Sequence, residues 1–213
     1  MDDFYGSRVD ALEEIWGVWA ELGAGLDEKQ WRTESRCPGW DVAACYAHHS
    51  LMPVAFDSQV ELPEPGAVGR VYTAAEALRG FNEPDGLAHT LADTVADQAA
   101  AQSVSVEPQE LTDRFRVRGA NAVRKLRSAP PTVVAPWGST GRMITLNEGV
   151  RIVLLEATIH LLDVLRALEL PPELIPARAL TETTALLAEM APAVDFIEAA
   201  SGRTTASPFP ILR

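Results

Sequence analysis

Residues 152–162, Ile-Val-Leu-Leu-Glu-Ala-Thr-Ile-His-Leu-Leu, constrain this chain more than any other stretch. Within the longer pattern of residues 146–168 they place apolar side chains at every angle around a helix. Such a helix is buried on all sides, at the centre of a helical assembly. Only Glu156, Thr158 and His160 interrupt the run. Glu156 and His160 are four residues apart, one turn above the other on one face, and Asp163 continues the stripe at the next step. An unpaired buried charge costs on the order of several kcal/mol, so these side chains need a compensating partner.

Two kinds of partner satisfy the spacing. One is a closed pair, with Glu156 hydrogen-bonded to His160 or to Arg151 from the preceding turn. The other is a metal ion that takes an oxygen and a nitrogen from the same helix face, as ligands from facing helices do in bundle cores. Glu-x-x-x-His alone favours the closed pair. The His48–His49 pair on a second helix tips the reading towards a metal, because three protein ligands leave a position open for water or substrate. The possible second role of Asp163 is to orient a ligand histidine, set against a plain salt bridge to Arg166 or Arg151.

Around this helix the pattern predicts others. Val9, Leu12, Ile15, Trp16, Trp19 and Leu22 recur at steps of three and four over residues 2–21, with Gly23 and Gly25 as the stop. A second helix follows the Cys37-Pro38-Gly39-Trp40 turn, N-capped by Asp41, and runs towards Val60 with a bend at Pro53. Residues 62–70 read as a loop. Helices are expected over residues 74–81, 85–104, 108–127 and 177–200, the last carrying Pro192. Residues 132–138 read as an extended connector or small hairpin, and the tail from Ser201 as extended. Strand signals are almost absent, so the fold class is all-α: one domain over residues 1–213, a bundle of four main helices with additional short ones.

Composition excludes several functions. Thirty acidic residues against eighteen basic ones give a net charge of −12, which disfavours nucleic acid and anionic membranes. The N-terminus lacks a positively charged region followed by an apolar core, and two cysteines make no disulfide framework, so a cytoplasmic protein is expected. No Gly-rich phosphate loop and no Gly-x-Ser-x-Gly elbow occurs. The basic run Arg114, Arg116, Arg118, Arg124, Lys125 and Arg127 reads as a solvated helix face, with attraction of an anionic substrate as the alternative. Cys37 and Cys45 read as structural cysteines, and His89 as exposed on a polar helix.

Cys37-Pro38-Gly39-Trp40-Asp41-Val42 with His48 eight residues after the Trp, then Glu156-x-x-x-His160-x-x-Asp163, then the tail Ser201-Gly202-Arg203 with Pro208-Phe209, resemble one metalloprotein family in the right order. It is the mycothiol-dependent maleylpyruvate isomerase N-terminal-domain family, within the DinB/YfiT-like superfamily. The resemblance implies a DinB-like four-helix bundle and a divalent metal, usually zinc, held by His48, Glu156 and His160. Helical periodicity instead puts His49 on the stripe Val42, Cys45, Tyr46, Met52, Phe56, so His49 is the alternative ligand. The resemblance further implies a small electrophilic substrate and mycothiol or another small thiol as cosubstrate, in thiol transfer or thiol-assisted isomerisation. A separate C-terminal domain of the kind that helps build the isomerase active site is not expected. Metal-assisted hydrolysis or lyase chemistry, and a non-catalytic metal-stabilised binding bundle, are the alternatives; the chain is expected to be a monomer or homodimer.

Overall fold

The computed structural model describes residues 2–58, 69–81, 86, 90–138 and 140–211. Helix α1 (Asp2–Gly25) runs past its predicted end. Gly23 does not stop it: a Cβ there would lie 2.7 Å from Thr112 Oγ1 and 2.9 Å from Tyr46 Cε1. Glycine instead lets neighbouring elements close onto α1. Val9, Leu12, Ile15, Trp16 and Trp19 are buried as the three-four spacing requires.

After the short helix α2 (Glu28–Trp31) the chain turns into α3 (Val42–His49). Asp41 caps α3, its carboxylate accepting the Ala44 N–H at 2.8 Å. The predicted long second helix is two helices, broken at Ser50 and resumed as α4 (Leu51–Ser58). Pro53 accounts for the break: it has no N–H to offer the carbonyl four residues back, and its ring crowds that carbonyl. Residue 60, most of the 62–70 loop and His89 lie outside the described residues.

Strand β1 (Val71–Tyr72) precedes α5 (Ala74–Phe81), and α6 (Ala92–Ser105) covers most of the predicted 85–104 helix, of which residues 85 and 87–89 lie outside the described residues. Helix α7 (Pro108–Asp113), a π-helical segment (Arg114–Gly119) and α8 (Ala120–Ser128) make one uninterrupted helical run over the predicted 108–127. The expected connector is strand β2 (Val134–Pro136), antiparallel to β3 (Met143–Thr145) with Ala135 opposite Ile144. Strand β1 joins the other side of β3 in parallel, giving the order β1-β3-β2.

β3 leads directly into α9 (Leu146–Ala167), where Thr145 accepts the Glu148 N–H at 3.3 Å as N-cap. The far end of α9 closes by a 2.8 Å bond from Leu170 N–H to Leu165 O, with Glu169 at φ 56°. That is a Schellman stop ahead of Pro171 and Pro172, with glutamate in the position glycine usually takes. The predicted 177–200 helix is split at Pro192 into α10 (Ala177–Met190) and α11 (Ala193–Ala200).

Helix α9 occupies the centre, packed against α1, α3, α5 and α10. Helix α1 also lies along α7, the π segment and α8, while α6 lies along α3. Val150, Leu154, Ala157, Leu161, Val164 and Leu165 of α9 share one core with Leu12, Ile15 and Trp19 of α1. Burial of each such large side chain contributes about 1.5–3 kcal/mol. Trp19 also donates its indole N–H to the Ala157 carbonyl at 3.2 Å, which pins α1 to α9 beside the polar stripe. The chain is thus an all-α bundle of the DinB-like kind with a small sheet at the entry to its central helix.

Candidate metal centre

Local turn chemistry puts the first ligand candidate in place. Pro38 and Gly39 occupy the middle of a tight turn closed by Trp40 N–H to Cys37 O at 3.0 Å. Gly39 has φ +80°, so the turn needs glycine there, and proline presets the position before it. Ser35 N–H to Trp40 O (2.8 Å) and Val42 N–H to Thr33 O (2.9 Å) then fold the segment back on itself at the start of α3. Cys37 and Trp40 therefore stand beside the helix that carries His48.

On α9, the four-residue step sets His160 Nε2 3.5 Å from Glu156 Oε2. His48 completes the group: one ligand atom from each of His48, Glu156 and His160 lies within 4.8 Å of the others. All three are half-buried, at the edge of the core. Trp40, which is buried, packs against both imidazoles, its ring 5.0 Å from that of His48 and 6.0 Å from that of His160. The His160 ring lies nearly parallel to the indole, at 25°, which fixes the plane of its two nitrogens.

His49 points elsewhere. It is 1% exposed, with its ring stacked on Phe115 at 5.6 Å and against Trp19 at 5.2 Å. Its Nε2 is buried without a hydrogen-bond partner. Among the described residues it joins no group of three metal-ligating side chains.

The other edge of His160 is also occupied. Nδ1 lies 3.7 Å from Asp163 Oδ2 and 3.8 Å from Cys37 Sγ, and the Cys37 thiol donates to Asp163 Oδ2 at 3.3 Å. Arg36, on the solvent side, reaches the second oxygen of Asp163 at 3.9 Å. Of the partners that the sequence offered Asp163, the histidine lies beside it and the two arginines, Arg166 and Arg151, do not pair with it. Arg151 pairs with Glu148 and Glu189 instead, so it does not neutralise Glu156 either.

Electrostatics follow from this arrangement. Burial, reinforced by the nearby His160, pushes His48 down to about 4, so it is a neutral imidazole with a free lone pair at neutral pH. Burial raises the Glu156 carboxyl, but the hydrogen bond and charge of His160 outweigh it and hold the group below its usual range. For His160 burial opposes protonation, yet Asp163, Cys37 and Glu156 together carry it well above the ordinary imidazole value. The contact with the Cys45 thiol, and after it burial, push the Cys37 thiol up.

Two imidazoles and a carboxylate form the donor set that zinc and similar divalent ions take, and a cation removes the strain of two histidines facing each other. The residues present therefore fit such an ion. Trp40 and Cys37 were not singled out by sequence reasoning as neighbours of the ligands. The signal that points to them is the Pro38-Gly39 turn, which returns the chain over α3. Ion pairs take up five of the six basic side chains of the run: Arg114 with Glu110, Arg116 with Asp113, Arg118 and Lys125 with Asp57 at 2.7 and 2.9 Å, and Arg127 with Asp10 and Glu13, while Arg124 donates to Asn121. A groove of about 340 Å³ lined by Trp16, Gly17, Ala20, Phe115, Gly119 and Val123 includes none of the three candidate ligands.

No helix among the described residues is long and apolar enough to cross a membrane. No curated protein and no solved structure matches the chain. The sequence profile described as "Mycothiol maleylpyruvate isomerase N-terminal domain" matches residues 12–165, which contain the Pro38-Gly39 turn, α3, all but the last two residues of α9 and all three candidate ligands. The chain belongs to the mycothiol maleylpyruvate isomerase N-terminal domain family.

Proposed function

We propose that the protein is a divalent-metal enzyme, zinc-dependent, that uses mycothiol or a similar small thiol on a small electrophilic substrate in the cytoplasm. The single observation behind this reading is the convergence of His48, Glu156 and His160 within 4.8 Å, at a half-exposed edge of the bundle. A bound cation supplies Lewis acidity and lowers the pKa of a thiol or water that reaches it.

The chain's own residues supply the rest. His48 is neutral at working pH and offers a lone pair without first losing a proton. Glu156 is ionised and brings the one negative charge of the donor set. Asp163 lies against Nδ1 of His160, which leaves Nε2 directed towards Glu156. Trp40 covers the two imidazoles and keeps their planes fixed while excluding water from that side. The side chain of Glu156 is 34% exposed, so the group can be approached from solvent on α9's outer edge.

The test is consumption of mycothiol in the presence of a panel of small electrophiles, including epoxides, activated alkenes and cis-enediones. Wild-type protein is compared before and after chelation and beside Glu156→Gln. The reading requires thiol consumption that chelation abolishes, that added zinc restores, and that Glu156→Gln lacks. Equal rates in chelated and reloaded protein would refute it.

A further inference from the structure

His160 presents its two nitrogens to two separate sets of donors. Nε2 faces Glu156, and the His48 ring lies 5.2 Å from the His160 ring; Nδ1 faces Cys37 and Asp163. Cys37, His160 and Asp163 form a group in their own right, with ligand atoms within 4.8 Å of one another. We propose that Cys37 Sγ, Asp163 Oδ2 and His160 Nδ1 form a second metal position, for a thiophilic divalent ion, back to back with the first across one imidazole ring.

A tetrahedral zinc-type ion has bonds of about 2.0 Å to nitrogen and oxygen and about 2.3 Å to sulfur, so its ligand atoms stand about 3.3–3.6 Å apart. The three edges of this group are 3.3 Å (Cys37 to Asp163), 3.7 Å (His160 to Asp163) and 3.8 Å (Cys37 to His160). A shift of a few tenths of an ångström seats the ion.

Each ligand is held from behind. Cys37 sits in the turn fixed by Pro38 and Gly39, and the His160 plane is set by Trp40. Asp163 lies one turn from His160 on the same helix. Arg36 touches only the other carboxylate oxygen, at 3.9 Å, and its side chain is 58% exposed, so it can swing away as the cation arrives.

The charges and protons also balance. With the first position filled through Nε2, loading the second releases two protons to solvent, one from the Cys37 thiol and one from Nδ1 of His160. The thiolate, the Asp163 carboxylate, the bridging imidazolate and the Glu156 carboxylate then match two divalent cations. The proposal does not depend on the thiol chemistry above; it shares His160 and Asp163 with it.

The probe is cobalt(II), titrated into metal-free protein in a phosphine reductant that brings no thiol of its own. Two equivalents per chain are expected, one of them accompanied by a thiolate-to-cobalt charge-transfer band in the near ultraviolet. Cys37→Ser should lose that band and one equivalent but keep the other, and Cys45→Ser should keep both. Should Cys37→Ser fail to fold by circular dichroism, Asp163→Asn serves instead, and should raise the cobalt concentration needed for the band by about tenfold or more.

His48→Ala should lose the equivalent without the band and retain the one with it, so failure of the first position is distinguishable from failure of the second. A single equivalent in wild type, with or without the band, would overturn the proposal. So would a band that survives Cys37→Ser.

Discussion

Helix α9 carries two polar clusters, and they solve the same problem of burial in different ways. Near its start, Arg151 is 7% exposed, with Glu148 one turn back and Glu189 of α10 as partners. A permanently charged guanidinium there meets two carboxylates through its two terminal nitrogens, while its Nε is buried without a hydrogen-bond partner. One turn on from Arg151, Glu156 and His160 meet His48, Cys37 and Asp163. Among the described residues, the fixed cation here is the exposed Arg36, at 3.9 Å from Asp163. Positive charge in this second cluster comes from protons, which a metal ion can replace. The first cluster is built to stay shut and the second to exchange its cation.

That contrast can be broken by substitution. The largest expected effect is on metal retention: His160→Ala should lower affinity beyond roughly a hundredfold, measured by competition with a chelator dye, while Arg151→Met leaves affinity unchanged. Next, Arg151→Ala strands Glu148 and Glu189 beside the core. Because Glu189 is half exposed, the cost should be about 2–3 kcal/mol in urea unfolding, below that of a fully buried pair. Glu156→Gln in metal-free protein should cost less than Arg151→Ala in the same assay.

The pH dependence of the two states sharpens the comparison. His160 has a folded-state pKa well above its unfolded value. Its contribution to the metal-free protein is therefore fully present below the unfolded imidazole value of about 6.5, and is lost as pH rises through the folded value. Metal must displace that proton, so affinity should climb by about tenfold per pH unit over the same interval. Urea melts and chelator competition across neutral to alkaline pH check both trends. A pH-independent affinity there would mean that His160 is not a ligand.

Much of the fold was legible because helical periodicity is a local signal. The all-round apolar character of α9 gave its central place, and Pro192 and Pro53 carry the chemistry that splits the later and earlier helices. The sheet was legible only in part: residues 132–138 read as an extended connector or small hairpin, which β2 matches, but β1 and β3 were not read. Strands of two or three residues at 71–72, 134–136 and 143–145 are too short to show a period of two, and the β1–β3 pairing joins residues 72 positions apart (71 with 143).

Glu156 and His160 stood out as polar breaks in an apolar run. His48 did not stand out by pattern: the amphipathic stripe selects the histidine that faces the core, and that is His49, packed between Trp19 and Phe115. A ligand at the edge of the core sits off the stripe by necessity. Cys37 and Trp40 lie in a turn, where no periodicity exists to read.

The smallest expected effect follows from the same geometry. His49→Leu replaces an imidazole whose Nε2 is unpartnered in an apolar pocket, so unfolding stability should change by less than about 1 kcal/mol or rise slightly.

The most direct measurement is the metal content per chain of purified, tag-free protein by elemental analysis, for wild type, His48→Ala and His49→Leu. The account predicts a tightly held divalent metal in wild type and in His49→Leu, retained through dialysis against a weak chelator, and its loss in His48→Ala. Metal retained in His48→Ala, or no metal in wild type even after reconstitution, would contradict the centre described.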